Sequence, residues 1–171
     1  MKIKSTLTNR SGKVLDVVYE DIDNEFDLKD KKIRGVHGYC FCGDKLVVVY
    51  AEKKGYWTPP GGGVELGETI GMAIMREIKE ETNMRVISQK IIGCQDIFEP
   101  QGIVSQVRFA CIVEPDGPFL TDPDGDITEI KLIKPDEYVK RYLDWGEIGD
   151  RILARALELK IQMEVELNHT K

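Results

Sequence analysis

Trp57-Thr58-Pro59-Pro60-Gly61-Gly62-Gly63-Val64-Glu65-Leu66-Gly67-Glu68 runs directly into Thr69-Ile70-Gly71-Met72-Ala73-Ile74-Met75-Arg76-Glu77-Ile78-Lys79-Glu80-Glu81-Thr82-Asn83-Met84. Two prolines and then three glycines stop a preceding strand and let the backbone approach a ligand closely. Thr69 is placed to cap a helix over about 69–82. At about 100° per residue from Ile70, Ile74 and Ile78 fall near 40° and 80°, while Glu77 and Glu81 lie within about 20° of Ile70. The acids therefore lie under the apolar stripe. They also form a like-charge i, i+4 pair near the helix C-terminus, where the macrodipole disfavours negative charge. Arg76 and Lys79 project roughly 100° or more away, so a divalent cation is the better neutraliser.

Gly62, five residues, Glu68, seven residues, Arg76-Glu77-Ile78, one residue, Glu80-Glu81, one residue and Asn83-Met84 together resemble the Nudix box of the Nudix hydrolases, over residues 62–84. Asn83 stands where that pattern has glycine; asparagine is the next residue best able to take the left-handed conformation that ends such a helix. The resemblance implies a metal-dependent hydrolase that cleaves a pyrophosphate linkage in a nucleoside diphosphate derivative by water attack on phosphorus. It implies Glu77, Glu80 and Glu81 as metal ligands, with the carbonyl of Gly61 as a further one, and Mg2+, or alternatively Mn2+, as the ion. Six oxygen ligands suit magnesium, and bound metal offsets phosphate charge and lowers the pKa of water. Glu68 and Arg76 match positions that hold the loop and orient the carboxylates.

The whole chain, 171 residues with 42% hydrophobic content, suffices for one globular domain. The formal charge of −6 argues against binding a nucleic-acid polymer. Cysteines 40, 42, 94 and 111 lack metal-ligand spacing and read as reduced thiols. With no signal peptide or membrane span in the pattern, the expected location is cytoplasmic.

Residues 2–20 read as a hairpin turned at Asn9-Arg10-Ser11-Gly12, and the acidic stretch 20–30 as a loop. A second hairpin is expected at 36–42 and 46–52, with strands at 85–98, 104–113 and 129–133, a short helix from Pro135 and a longer one over about 147–165. Strands with three helices give a mixed α+β class; the resemblance sharpens this to the Nudix fold, an αβα sandwich around a mixed β-sheet. The division is residues 1–32 as an N-terminal hairpin extension and 33–171 as the Nudix domain. An exposed hairpin edge also predicts a homodimer.

Gly62, Gly63, Lys53 and Trp57 are the expected substrate-binding residues. Tyr56, Phe98 and Phe109 are further stacking candidates, and Lys54 and Arg108 are further phosphate contacts. Asp122, Asp124, Asp126 and Glu129 lie where the resemblance implies an extra carboxylate, and Asp126 or Glu129 is the candidate general base. The same Pro/Asp/Gly segment also reads as a plain turn. It is no EF-hand, since its sixth and twelfth positions hold Ile127 and Ile133. Pro100, sixteen residues beyond Met84, resembles a proline of ADP-ribose pyrophosphatases, which favours an ADP-ribose-like substrate over a nucleoside triphosphate. The alternative is a Nudix-fold regulatory module that binds a nucleotide without cleaving it.

Overall fold

A computed structural model describes residues 1–120 and 122–169. Helix α1 (Ile70–Thr82) begins where the Thr69 side chain accepts a hydrogen bond from the Met72 N–H at 3.1 Å. It ends at Asn83, whose φ of 51° is left-handed. Ala73, Ile74 and Ile78 of α1 are fully buried. Truncating one such isoleucine to alanine costs about 2–5 kcal/mol.

The chain orders its strands as β1 (Lys2–Thr8), β2 (Val14–Asp21), β3 (Ile33–Cys42), β4 (Lys45–Ala51), β5 (Tyr56–Thr58), β6 (Gly61–Gly63), β7 (Met84–Glu99), β8 (Gly102–Pro115) and β9 (Ile127–Ile133). They form one sheet in the order β1-β2-β7-β8-β3-β4-β5, with β6 beside β3 and β9 beside β4. The β3–β8 pairing is parallel and the others are antiparallel, so the sheet is mixed. The N-terminal hairpin joins it through β2, in register with β7 from Val17↔Ile97 to Asp21↔Gly93.

Strand alternation divides the core in two. Val36, Cys40, Val47, Val107 and Phe109 meet α1 on one face, while Tyr39, Phe41, Leu46, Val48 and Ala110 meet helix α2 (Gly146–His169) on the other. The result is the expected αβα sandwich. Arg151 ties α2 back to the hairpin at Asp21, 2.7 Å away, and Arg155 ties it to β7 at the Ile92 carbonyl, 2.8 Å away.

Local details differ from the sequence reading. The short helix expected from Pro135 forms as a 3-10 helix at Glu137–Arg141, so the α-helices of the described residues number two. The acidic stretch 20–30 is not wholly a loop: β2 continues to Asp21, and a 3-10 turn at Glu25–Leu28 buries Leu28. An apolar anchor that short carries no helical period.

Candidate active site

The inward azimuth of the α1 acids is realised, since Glu77 and Glu81 are each 8% exposed. The glycine run explains how they fit. The Gly61 N–H donates to Glu81 Oε2 at 2.8 Å. A Cβ on Gly62 would lie 2.6 Å from Glu77 Oε1, so any larger residue there would push that carboxylate out of its present place. Asn83 does more than a glycine there, because its Nδ2 donates to the Pro118 carbonyl at 2.8 Å and anchors the following loop.

Arg76 corrects the helical-wheel expectation that no nearby cation neutralises the acids. Its long side chain folds back along the helix: NH1 donates to Glu77 Oε1 at 2.9 Å and to Glu80 Oε2 at 3.1 Å. Nε and NH2 grip Glu68 at 2.8 and 3.1 Å, and NH2 also reaches the Gly63 carbonyl at 2.9 Å. Glu68 in turn accepts the Glu65 N–H at 3.0 Å. One guanidinium thus clamps the Gly-rich loop to two of the three helix acids. A bidentate fork is suited to such a role.

Neutralisation is nevertheless incomplete. Burial pushes the Glu81 carboxyl up to about 8; the Gly61 N–H opposes this, while the charges of Glu77 and Asp122 add to it. Burial also raises Glu77 against the pull of Arg76, helped by Glu80 and Asp124. Hydrogen bonds from Arg76 hold Glu68 below its usual range. Carboxyls strained toward neutrality by burial and by one another fit a hard divalent cation, which prefers oxygen donors. Among the described residues no three acidic, thiol or imidazole side chains already converge as a metal cage.

The loop after β8 brings up different acids from those singled out by sequence. Asp122, 5% exposed, accepts N–H bonds from Asp124, Asp126 and Ile127, which is the turn-forming role. Asp122 and Asp124 are the loop charges felt by Glu81 and Glu77. Asp126 instead forms an ion pair with Lys53, which holds its carboxyl below the usual range. Glu129 is in register with Tyr50, whose ring packs on Trp57, so it projects from the sheet face opposite α1.

Alternation likewise separates the residues of β5. Tyr56 and Thr58 line a cleft of about 1040 Å3 that also reaches Gly62, Gly63 and Lys54. Trp57 points the other way, against Tyr50 and Tyr142 with Lys131 over its ring. Lys53 is turned to Asp126 and is absent from the cleft lining. Phe109 is core, at 2% exposure, and Phe98 is exposed. Pro100 sits in the turn between β7 and β8, beside Glu99 on the cleft rim.

The family model described as NUDIX domain matches residues 31–156. An ADP-ribose pyrophosphatase of Methanocaldococcus jannaschii is 40% identical over 58 residues, 33% of this chain and 34% of that protein. A putative 8-oxo-dGTP diphosphatase of Bacillus subtilis, YtkD, is 39% identical over 74 residues, 43% of this chain and 46% of that protein. The chain spans less than half the length of either curated relative. The crystal structure of a Bacillus subtilis pyrophosphohydrolase, BsRppH, shares the fold at TM-score 0.70 and 20% identity, over 90% of this chain and 96% of that one.

Proposed function

The chain belongs to the NUDIX domain family, and from that premise we propose that it is a divalent-metal-dependent pyrophosphohydrolase acting on a nucleoside diphosphate derivative. The observation that carries this reading is the pair of buried carboxylates, Glu77 and Glu81, seated against Gly61 and Gly62 with more negative charge around them than Arg76 offsets. The substrate is ADP-ribose-like or a nucleoside triphosphate, in line with the activities for which the two curated relatives are named.

In this reading Glu77, Glu80 and Glu81, with the Gly61 carbonyl, hold Mg2+ or Mn2+. When bound, the metal neutralises polyphosphate charge and lowers the pKa of water. Arg76 and Glu68 act as positioning residues, fixing the loop relative to the helix acids. The backbone at Gly62 and Gly63 lets the substrate approach closely, and Lys54 and Tyr56 take the contact roles expected of Lys53 and Trp57. Asp124, whose charge reaches Glu77, is the stronger candidate base than Asp126, held by Lys53, or Glu129, on the far face. The domain is the segment 33–171, with 1–32 extending its sheet. Free thiols at all four cysteines suit a reducing cytoplasm. The outer edge of β1 is the proposed homodimer surface, and a monomer by sedimentation at micromolar protein counts against it.

A panel of ADP-ribose, nucleotide sugars, nucleoside triphosphates and dinucleoside polyphosphates, assayed with Mg2+ and with EDTA, tests the proposal. Release of nucleoside monophosphate that stops with EDTA supports it and names the substrate class. Nucleotide binding without turnover across the panel moves the assignment to a non-catalytic regulatory module.

A further inference from the structure

Arg108 is 4% exposed on the cleft side of β8, and no carboxylate among the described residues pairs with it. Its NH1 donates to His37 Nδ1 at 2.9 Å, and its NH2 donates to Gln106 Oε1 at 2.9 Å and Gln95 Oε1 at 3.4 Å. The Nε–H has no partner among those residues. The Trp145 ring centroid lies 5.9 Å from the guanidinium carbon. Arginine only donates, so His37 Nδ1 is an acceptor and the imidazole is the neutral tautomer protonated on Nε2. Burial, Arg108 and Lys54 all hold His37 well below its ordinary pKa. Three neutral acceptors therefore orient a buried cation without cancelling its charge, an unfavourable arrangement unless an anion arrives from outside.

Arg108 alternates with Val107 and Phe109 and so projects from the sheet face opposite α1, yet one cleft joins it to Lys54, Gly62 and Gly63. Gly61, His37 and Arg108 are register partners across β6, β3 and β8, which sets the Arg108 backbone roughly 10 Å from the Gly61 backbone that holds Glu81. Lys54 lines the same cleft as His37 and acts electrostatically on both His37 and Glu81. Although the chain carries a net charge of −6, the cleft is lined by the cations Arg10, Arg34, Lys54 and Arg108 against the carboxylates Glu99 and Asp144.

We infer that Arg108, oriented by His37, Gln95 and Gln106 and aided at the rim by Lys54 and Arg34, forms a second oxyanion subsite that takes a phosphate of the ligand other than the one under attack. The inference deepens the hydrolase reading and rests on it only for the phrase "under attack". A ligand phosphate supplies the missing counter-charge, while the part of the ligand being cleaved stays at Gly61 and Gly62.

Isothermal titration with ADP, inorganic pyrophosphate and adenosine, in EDTA, separates this subsite from the metal chemistry. The wild type is expected to bind ADP and pyrophosphate, and adenosine at least about tenfold more weakly. Arg108→Met should weaken ADP binding by about tenfold or more without lowering Tm, because it removes a charge the fold leaves unneutralised. If Arg108→Met does not yield folded protein, Arg108→Lys decides: it keeps the charge without the fork, and a Kd raised about fivefold or more supports the subsite. Wild-type ADP affinity in Arg108→Met, or in Arg108→Lys where that variant decides, overturns it. So does adenosine binding as tight as ADP, or no binding of ADP and pyrophosphate at millimolar concentration. Arg108-dependent ADP binding in a protein that turns over nothing supports the subsite and removes the hydrolase reading; turnover with unaltered ADP binding in Arg108→Met does the reverse.

Discussion

Replacing Glu81 by glutamine should make the metal-free protein more stable and its stability less sensitive to pH. In the folded chain the carboxyl is raised to about 8, from an ordinary value near 4.5, chiefly by burial. A raised carboxyl means that the folded state holds a proton the unfolded state releases. Stability is therefore greatest below pH 4.5 and declines as pH rises toward 8, the reverse of a salt-bridged acid. At 1.36 kcal/mol per pKa unit, the penalty at pH 7 is roughly 3 kcal/mol, and stability falls by roughly 4 kcal/mol between pH 5 and pH 9. Glutamine keeps the shape and an acceptor for the Gly61 N–H but has no proton to lose. Urea unfolding of both proteins in EDTA at pH 5, 7 and 9 reads the difference directly. The expected gap opens from under about 1 kcal/mol at pH 5 to roughly 4–5 kcal/mol at pH 9. Adding Mg2+ at pH 8 should narrow it by stabilising the wild type more, since a ligand that binds only the folded state stabilises it by mass action. Parallel pH profiles of the two proteins would refute the claim that Glu81 is held as a desolvated acid.

Gly62→Ala keeps an allowed backbone but puts a Cβ 2.6 Å from Glu77 Oε1, so we expect kcat to fall about tenfold or more with a stability change under about 1 kcal/mol; an unchanged kcat contradicts the cradle. Asn83→Ala loses both the left-handed preference and the bond to the Pro118 carbonyl. It should be less stable than Asn83→Gly by about 1 kcal/mol in chemical denaturation, and equal stabilities argue against strain there. Burial alone would raise the Asp21 carboxyl, but bonds from Arg151 and the N-terminal amine outweigh it and bring it down to about 2. Its contribution is present above pH 3.8 and lost as pH falls toward 2. Asp21→Asn should remove about 2 kcal/mol at pH 7, and an acid-unfolding curve indistinguishable from the wild type would show that the clamp between hairpin and α2 is idle.

What the sequence made readable was local. Thr69, the isoleucine period and Asn83 set the limits of α1, and the inward azimuth of Glu77 and Glu81 follows from spacing alone. Gly61 and Gly62 announced close approach but not what approached, which is the carboxylates themselves. The fold-back of Arg76 escaped because a helical wheel records the Cβ direction, while a guanidinium reaches a full turn away. Trp57 and Lys53 were assigned to the substrate because they flank the loop, yet alternation along β5 gives the cleft to Tyr56, and Asp126 captures Lys53. The turn read from the Pro/Asp/Gly segment is there, but the pattern did not say that Asp122 is the acid whose carboxylate accepts its three backbone bonds. Arg108 was legible as a phosphate contact, but not its orienting partners: positions 37, 95, 106 and 108 meet only through the register of β3, β7 and β8, and β3 pairs with β8 across more than sixty residues of chain.

The most direct test of the account is turnover of the best panel substrate as Mg2+ is titrated, in the wild type and in Glu80→Gln and Glu81→Gln. The account predicts metal-saturable hydrolysis in the wild type that EDTA abolishes and that falls by about a hundredfold or more in either variant, roughly 3 kcal/mol of lost transition-state stabilisation. Hydrolysis that proceeds without metal, or that survives both substitutions unchanged, would contradict it.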